Sequence, residues 1–298
     1  MKKPTVSSEP NQSAGPLYAL LAYGSWGLLP IYWKFFGSIS PVEVLSHRMI
    51  WSLVFLSLVL IVQQRLPEVR LLLQSRQRVG VLLLTAALLS FNWGLYIYGV
   101  NSDRIVETSL GYYINPLVTV LLGFVFLRER LLWGQILAVI LASIGVGYFV
   151  WQFGSVPWIA LGLAFSFAFY GLLRKVVKVA PMVGLVVETG LITPLVLTLM
   201  VYWSATGVGH FGTGWPITFL FIGAGVVTSM PLLWFNNAAK RLKLATLGFF
   251  QYVAPSIQLV LGILIYQEPF TLTHTVTFGL IWTALAIYSA SSILSRRA

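Results

Sequence analysis

An all-α integral membrane protein of ten transmembrane helices, arranged as two inverted five-helix repeats, is the fold this sequence predicts. Three observations point there. Of 298 residues, 58% are hydrophobic and only 9% charged, with a mean hydropathy of +0.85. Soluble domains carry about 25% charged residues, so this chain cannot cover itself with a hydrated surface. Next, the apolar residues fall into ten continuous runs, each near the 20 or so residues a helix needs to cross ~30 Å of hydrocarbon. Last, a proline-centred pattern occurs twice, five runs apart. In "LGYYINPLVTVLLGFVFLRER" (Leu110–Arg130) and "LGFFQYVAPSIQLVLGILIYQEP" (Leu247–Pro269), a glycine follows the proline by seven residues and a glutamate by thirteen: Pro116, Gly123, Glu129 and Pro255, Gly262, Glu268.

In chain order, residues 1–15 form a polar tail whose two lysines are followed by polar residues, unlike a cleaved signal peptide. The spans then run at about 16–36, 41–64, 79–101, 104–127 and 131–151, and again at 156–174, 182–204, 215–239, 243–266 and 272–293. The runs are continuous rather than alternating, so strands of a membrane barrel are excluded. The connections are short, the longest being 65–78 and 205–214, and no soluble domain is inserted. "LYALLAYGSWGLL" (Leu17–Leu29) aligns without gaps to "LGLAFSFAFYGLL" (Leu161–Leu173), pairing Trp26 with Tyr170, and Arg104 before the fourth span matches Arg241 before the ninth. Residues 16–151 and 156–293 therefore read as two copies of one five-helix unit. Five is odd, so the second copy sits upside down relative to the first.

Lys and Arg assign the sides, because cytoplasmic loops collect positive charge. Sixteen of the nineteen basic residues lie on the face shared by both termini, leaving Lys34, Arg48 and Arg104 on the other. Both termini are expected in the cytoplasm, which places Glu129 inside and Glu268 outside. The net charge of +11 belongs to this topology signal rather than to nucleic acid. With no cysteine there is no disulfide, thiolate metal site or cysteine nucleophile. The sequence offers no phosphate-binding glycine loop, no histidine pair for a metal, and no Ser/His/Asp set; His47, His210 and His274 fall on three segments. No cofactor is expected, and neither is an enzyme.

Inverted repeats build alternating-access carriers, which bind substrate near the midplane where broken helices of the two halves meet. Pro116 and Pro255 each lie about twelve residues from either end of their span. A proline removes a backbone donor and frees a carbonyl one turn back, which is tolerated at midplane only where it faces protein, water or a ligand. They are the helix-break candidates; the competing reading is an ordinary membrane-helix kink.

Four quoted segments carry a resemblance: "LSHRMIWS" (Leu45–Ser52), "SLGYYINPLV" (Ser109–Val118), "ALGLAFSFAFYGLLRK" (Ala160–Lys175) and "TLGFFQYVAPS" (Thr246–Ser256). In their order and spacing they resemble the RarD subfamily of the EamA-type drug/metabolite transporter superfamily, over nearly the whole chain. The resemblance implies a carrier of the bacterial inner membrane that exports or exchanges small organic solutes. The subfamily bears a chloramphenicol-sensitivity label, which names a phenotype.

Ionisable residues inside spans are the informative site candidates, since a charge at the bilayer centre costs at least ~2.5 kcal/mol. Arg48 lies seven residues into the second span and Glu188 as far into the seventh, at equivalent repeat positions with opposite charge. Arg48 either lines the path, receiving an anionic group, or snorkels outward towards Glu43 and His47. Glu188 either handles a cation or proton in the path or bonds a neighbouring helix. Seven residues rise roughly 10 Å, so the two start at different depths from opposite faces and are expected to act separately. Trp26, Trp93, Tyr96 and Tyr113, beside the amides Asn92 and Asn115, would wall a cavity for planar or amphipathic solutes, or simply pack helices. Asp103 and Glu107 suit the start of the fourth span, with Arg104 in reach of Glu107. Partners expected are the bilayer, a small organic solute, a proton or counter-solute, and a second copy of the chain. The competing functions are a passive channel and an integral-membrane enzyme.

Overall fold

The computed structural model describes residues 14–294 except 129, 178, 240, 243–245 and 248–249. Glu129, Lys178, Lys240, Lys243 and most of the polar tail lie outside the described residues. All the described regular structure is helical. In chain order it comprises α1 (Gly15–Lys34), α2 (Pro41–Val62), α3 (Leu66–Leu73), α4 (Arg76–Asn101), α5 (Ile105–Leu127), α6 (Trp133–Phe153), α7 (Trp158–Val177), α8 (Pro181–Thr206), α9 (Trp215–Ala239), α10 (Val253–Val260) and α11 (Leu272–Leu294). A π turn, Leu261–Ile265, continues α10.

Among the described residues, eight helices are long and apolar enough to cross a membrane. They correspond to eight of the ten expected spans. The other two differ for physical reasons. Helix α1 has the length, 20 residues, but Tyr18, Tyr23, Trp26, Tyr32, Trp33 and Lys34 interrupt its aliphatic run. The ninth span is interrupted by a turn at residues 251–252, and only Val253–Ile265 follows as a shorter apolar helix. The segment 65–78, expected as a loop, contains α3: Pro67 sits in its first turn, and Glu68 takes both Arg65 Nε (2.6 Å) and Nη2 (2.8 Å).

Large apolar side chains cover the outside of the bundle, among them Val62, Trp133 and Trp151, each more than three-quarters exposed. On a soluble protein such surface would drive association; on a multi-pass membrane protein it suits a lipid surrounding. With lipid as apolar as leucine, helices hold together by close contact of small residues and by interhelical hydrogen bonds. Gly111 of α5 lies against the α7 backbone, where a Cβ would come within 2.7 Å of the Ala160 carbonyl oxygen. Gly225 of α9 meets the α2 backbone at Trp51 more tightly still, a Cβ there falling 2.2 Å from its carbonyl carbon. Any larger residue would push either pair apart.

The proline helices meet each other. Helix α5 runs through Pro116 without interruption, so the missing donor there does not end the helix. Pro255 sits in the first turn of α10, where a missing N–H costs little, and its carbonyl accepts from Ser109 Oγ of α5 at 2.8 Å. The Tyr113 hydroxyl of α5 pairs with Ser256 Oγ at 2.5 Å, and its ring stacks on Tyr252 with centroids 6.1 Å apart.

Candidate functional site

Two buried charges organise the interior. Glu188, 1% exposed on α8, is enclosed by three donors from two other helices. Thr85 Oγ1 of α4 donates to its Oε1 at 2.6 Å and the Tyr170 hydroxyl of α7 to its Oε2 at 3.3 Å. Arg174 Nη1, one turn beyond Tyr170 on α7, lies 3.4 Å from Oε1. Gly184, one turn before Glu188, makes room for this arrangement: a Cβ there would lie 1.7 Å from Arg174 Nη1. Arg174 also donates to the Pro181 carbonyl at 3.3 Å, tying the start of α8 to α7.

Arg48 is 7% exposed on α2, and its surroundings are of another kind. Its guanidinium carbon lies 3.4 Å from the centroid of the Trp93 ring of α4, a cation–π contact worth ~2 kcal/mol or more when desolvated. Neither its Nε nor its Nη1 has a hydrogen-bond partner, and among the described residues no carboxylate pairs with it. Its electrostatic neighbours are the hydroxyls of Tyr96 (α4) and Tyr112 (α5), whose rings meet edge to face at 5.7 Å. Gln258 of α10 donates through Nε2 to the Tyr96 hydroxyl at 3.1 Å and to the Trp26 carbonyl at 3.3 Å. Its Oε1 is buried without a partner. Trp26 packs edge-on against Tyr23 at 5.4 Å.

The structure thus gathers Trp26, Arg48, Trp93 and Tyr96 around one polar cluster, and does not bring Arg48 and Glu188 into contact. The two asparagines stand apart from both charges and tie helices together. Asn92 Nδ2 donates to the Leu163 carbonyl (3.0 Å) and Ser166 Oγ (2.9 Å), and Asn115 Nδ2 to the Ala164 carbonyl (2.9 Å), all on α7. Tyr113 belongs to the α5–α10 contact described above.

A further polar group joins helix ends. Glu268 accepts from the Ile105 and Val106 amides at 2.6 and 2.8 Å, which caps the start of α5. Burial pushes its carboxyl above the usual carboxylate range, against the two amides and Lys34, which pull it down. Glu107 pairs with Arg104 (2.5 Å) and accepts from the Ile159 amide at the start of α7 (3.0 Å). Lys34 pairs with Asp103. Glu43 likewise holds His210 through its backbone amide (2.7 Å) and Nδ1 (2.8 Å).

Sequence reasoning missed Thr85, Tyr170, Arg174, Tyr112 and Gln258 as members of these clusters. Arg174 read as a topology charge, because its partner is supplied by another helix. Gln258 carried a usable signal: a lone amide in the apolar run that follows Pro255.

Residues 13–151 match the model of the EamA-like transporter family. An uncharacterized transporter of Vibrio cholerae is 44% identical over 94% of this chain and 93% of its own length. The protein RarD of Salmonella typhi is 44% identical over 95% of this chain and 97% of its own. A crystal structure at 16% identity superposes with a TM-score of 0.59 over 97% of this chain and the whole of the other, a likeness of fold. A multi-pass membrane protein with these helices and these relatives is a membrane transporter protein by kinship. The chain belongs to the EamA-like transporter family, among the RarD proteins of the drug/metabolite transporter superfamily.

Proposed function

We propose that the chain is a secondary carrier that exports or exchanges small organic metabolites or drug-like solutes across the bacterial inner membrane by alternating access. In this reading ten crossings, including α1 and the segment ending in α10, form two inverted repeats at 16–151 and 156–293. Both termini are cytoplasmic. The observation that carries it is the symmetry of helix packing. Helix α1 packs on α9 and α10, and its counterpart α7 packs on α4 and α5, the counterparts of those two. Likewise α2 packs on α9 while α8 packs on α4. The pairs α2–α8, α5–α10 and α6–α11 each join a helix to its own counterpart. A two-fold relation between halves predicts that set of contacts, and an odd number of crossings per half makes the axis lie in the membrane plane. The family match over residues 13–151 coincides with the first unit and supports the same division.

The Arg48 cluster, with Trp26, Trp93 and Tyr96, supplies the substrate path. Glu188, with Arg174, closes the cytoplasmic side. Glu43 with His210 closes the outer side. A proton or counter-solute would be the coupled partner, and a second copy of the chain the structural one. The test is reversible cross-linking in a chain that contains no native cysteine. Cysteine pairs at Glu43/His210 and at Arg174/Glu188, linked one pair at a time by a short bifunctional reagent, should each stop transport, and reductant should restore it. Undiminished transport with either pair linked would refute alternating access through that closure.

A further inference from the structure

We infer that the Arg48 cluster is a binding site for a small organic carboxylate that also offers an O–H or N–H, so that the transported solute is an organic acid rather than a cation. The inference rests on the carrier reading and names its substrate class. Aromatic walls in a membrane protein commonly suit a cationic guest, which sits on a ring face. Here the Trp93 face is occupied by the protein's own cation, Arg48, at 3.4 Å. A second cation at this place would meet like charge. Arg48 itself is nine-tenths buried, and no carboxylate of the described chain neutralises it. Beside that contact with Trp93, the Nε and Nη1 donors of the guanidinium remain unmet.

Burying a charged donor without an acceptor is costly, and the cost is recovered when an anion arrives. The second orphan fixes the rest of the ligand. Both N–H bonds of Gln258 are directed at Tyr96 and Trp26, so its amide cannot turn, and Oε1 is left as a buried acceptor. Tyr96 is common to both orphans: its hydroxyl binds Gln258 at 3.1 Å, and it interacts electrostatically with Arg48. A carboxylate meets the first and an O–H or N–H on the same molecule meets the second. Inorganic anions would satisfy Arg48 alone.

The test uses the full chain in detergent and in liposomes. Thermal stabilisation is measured with matched solutes at millimolar concentration: indole-3-acetate, 4-hydroxybenzoate and benzoate, their amides, tryptamine, and the inorganic anions chloride and sulfate. Charge-assisted bonds to a buried guanidinium predict that the acids half-saturate at about tenfold lower concentration, or less, than their amides. Arg48→Gln should abolish that preference and Arg48→Lys should keep part of it, while Gln258→Leu should narrow the gap between hydroxylated and plain benzoates. Stabilisation by tryptamine or the amides equal to that by the acids would overturn the assignment. So would an acid preference that survives Arg48→Gln, a response to inorganic anions alone, or no response to any acid. Uptake of the same solutes into liposomes separates the two readings. Uptake of amines but not acids refutes the acid site and leaves the carrier intact. Acid binding without any uptake refutes the carrier and leaves the site.

Discussion

Replacing Arg174 by glutamine would leave the buried Glu188 carboxylate with two of its three donors, and the cost follows from the geometry. Removing one partner of a buried ion pair typically costs ~3–5 kcal/mol. Two features reduce it here. The Arg174–Glu188 separation of 3.4 Å is longer than the ~2.7–2.9 Å of strong charge-assisted bonds. Thr85, at 2.6 Å, keeps Glu188 Oε1 satisfied. The expected cost of Arg174→Gln is therefore about 2–3 kcal/mol. Glu188→Gln should cost less, about 1–2 kcal/mol, since a carboxamide oxygen still accepts from Thr85 and Arg174 keeps the Pro181 carbonyl. If the two groups interact as the structure places them, the double variant is less damaging than the sum by about 1–2 kcal/mol. The assay is reversible unfolding in mixed micelles on the wild type, both single variants and the double variant. Additivity within about 0.3 kcal/mol would refute the ion pair. A loss below about 0.5 kcal/mol for Arg174→Gln would show that Glu188 does not depend on it.

Since Arg48 contacts Trp93 and Glu188 contacts Arg174, the swap Arg48→Glu with Glu188→Arg should transport no better than the worse single variant; recovery by the swap would reveal a pair. Arg48→Met removes a buried charge two of whose nitrogens, Nε and Nη1, lack acceptors, so the variant should unfold at higher temperature than wild type when no solute is added, and a clear loss of stability would contradict the orphan-donor description. Asn92→Ala should cost about 1–2 kcal/mol by untying α4 from α7, measured in the same micelles, with no change in solute selectivity if Asn92 only fastens helices. Single cysteines at Ser38, Ser155 and Ser204 should react with impermeant maleimide in whole cells, and those at Ser75, Lys178 and Ser295 only after permeabilisation; the reverse pattern would invert the topology.

The helical membrane character was legible because it depends on run length and hydrophobicity, both local properties of the chain. Eight spans appear on that basis. The first span was legible as a helix of the right length, though its aromatic residues dilute it, and the ninth as an apolar run whose interruption near Pro255 no local signal placed at residues 251–252. Helix α3 was missed because 65–78 is amphipathic and lies outside the apolar runs, and its start depends on a proline and an Arg65–Glu68 contact three residues apart. In the site, the isolated charges Arg48 and Glu188 stood out from their apolar neighbours. What encloses them did not. Arg174 lies at a helix end where basic residues are usual, and only folding brings it beside Glu188. Asn92 and Asn115 read as cavity amides, and folding brings their side chains to carbonyls of the α7 backbone, at Leu163 and Ala164. Pairings between helices are tertiary facts, and no spacing within one helix encodes them.

Counterflow in liposomes tests the carrier claim most directly. Liposomes holding the purified chain are loaded with an unlabelled solute, such as the best-bound acid of the stability panel, and diluted into a trace of the same solute carrying a label. A carrier that reorients with solute bound drives the label inward beyond equilibrium, a transient overshoot that depends on the internal load and disappears when the load is omitted. The account predicts that overshoot. A monotonic approach to equilibrium, the same with and without the internal load, would mean an open passage and would contradict it.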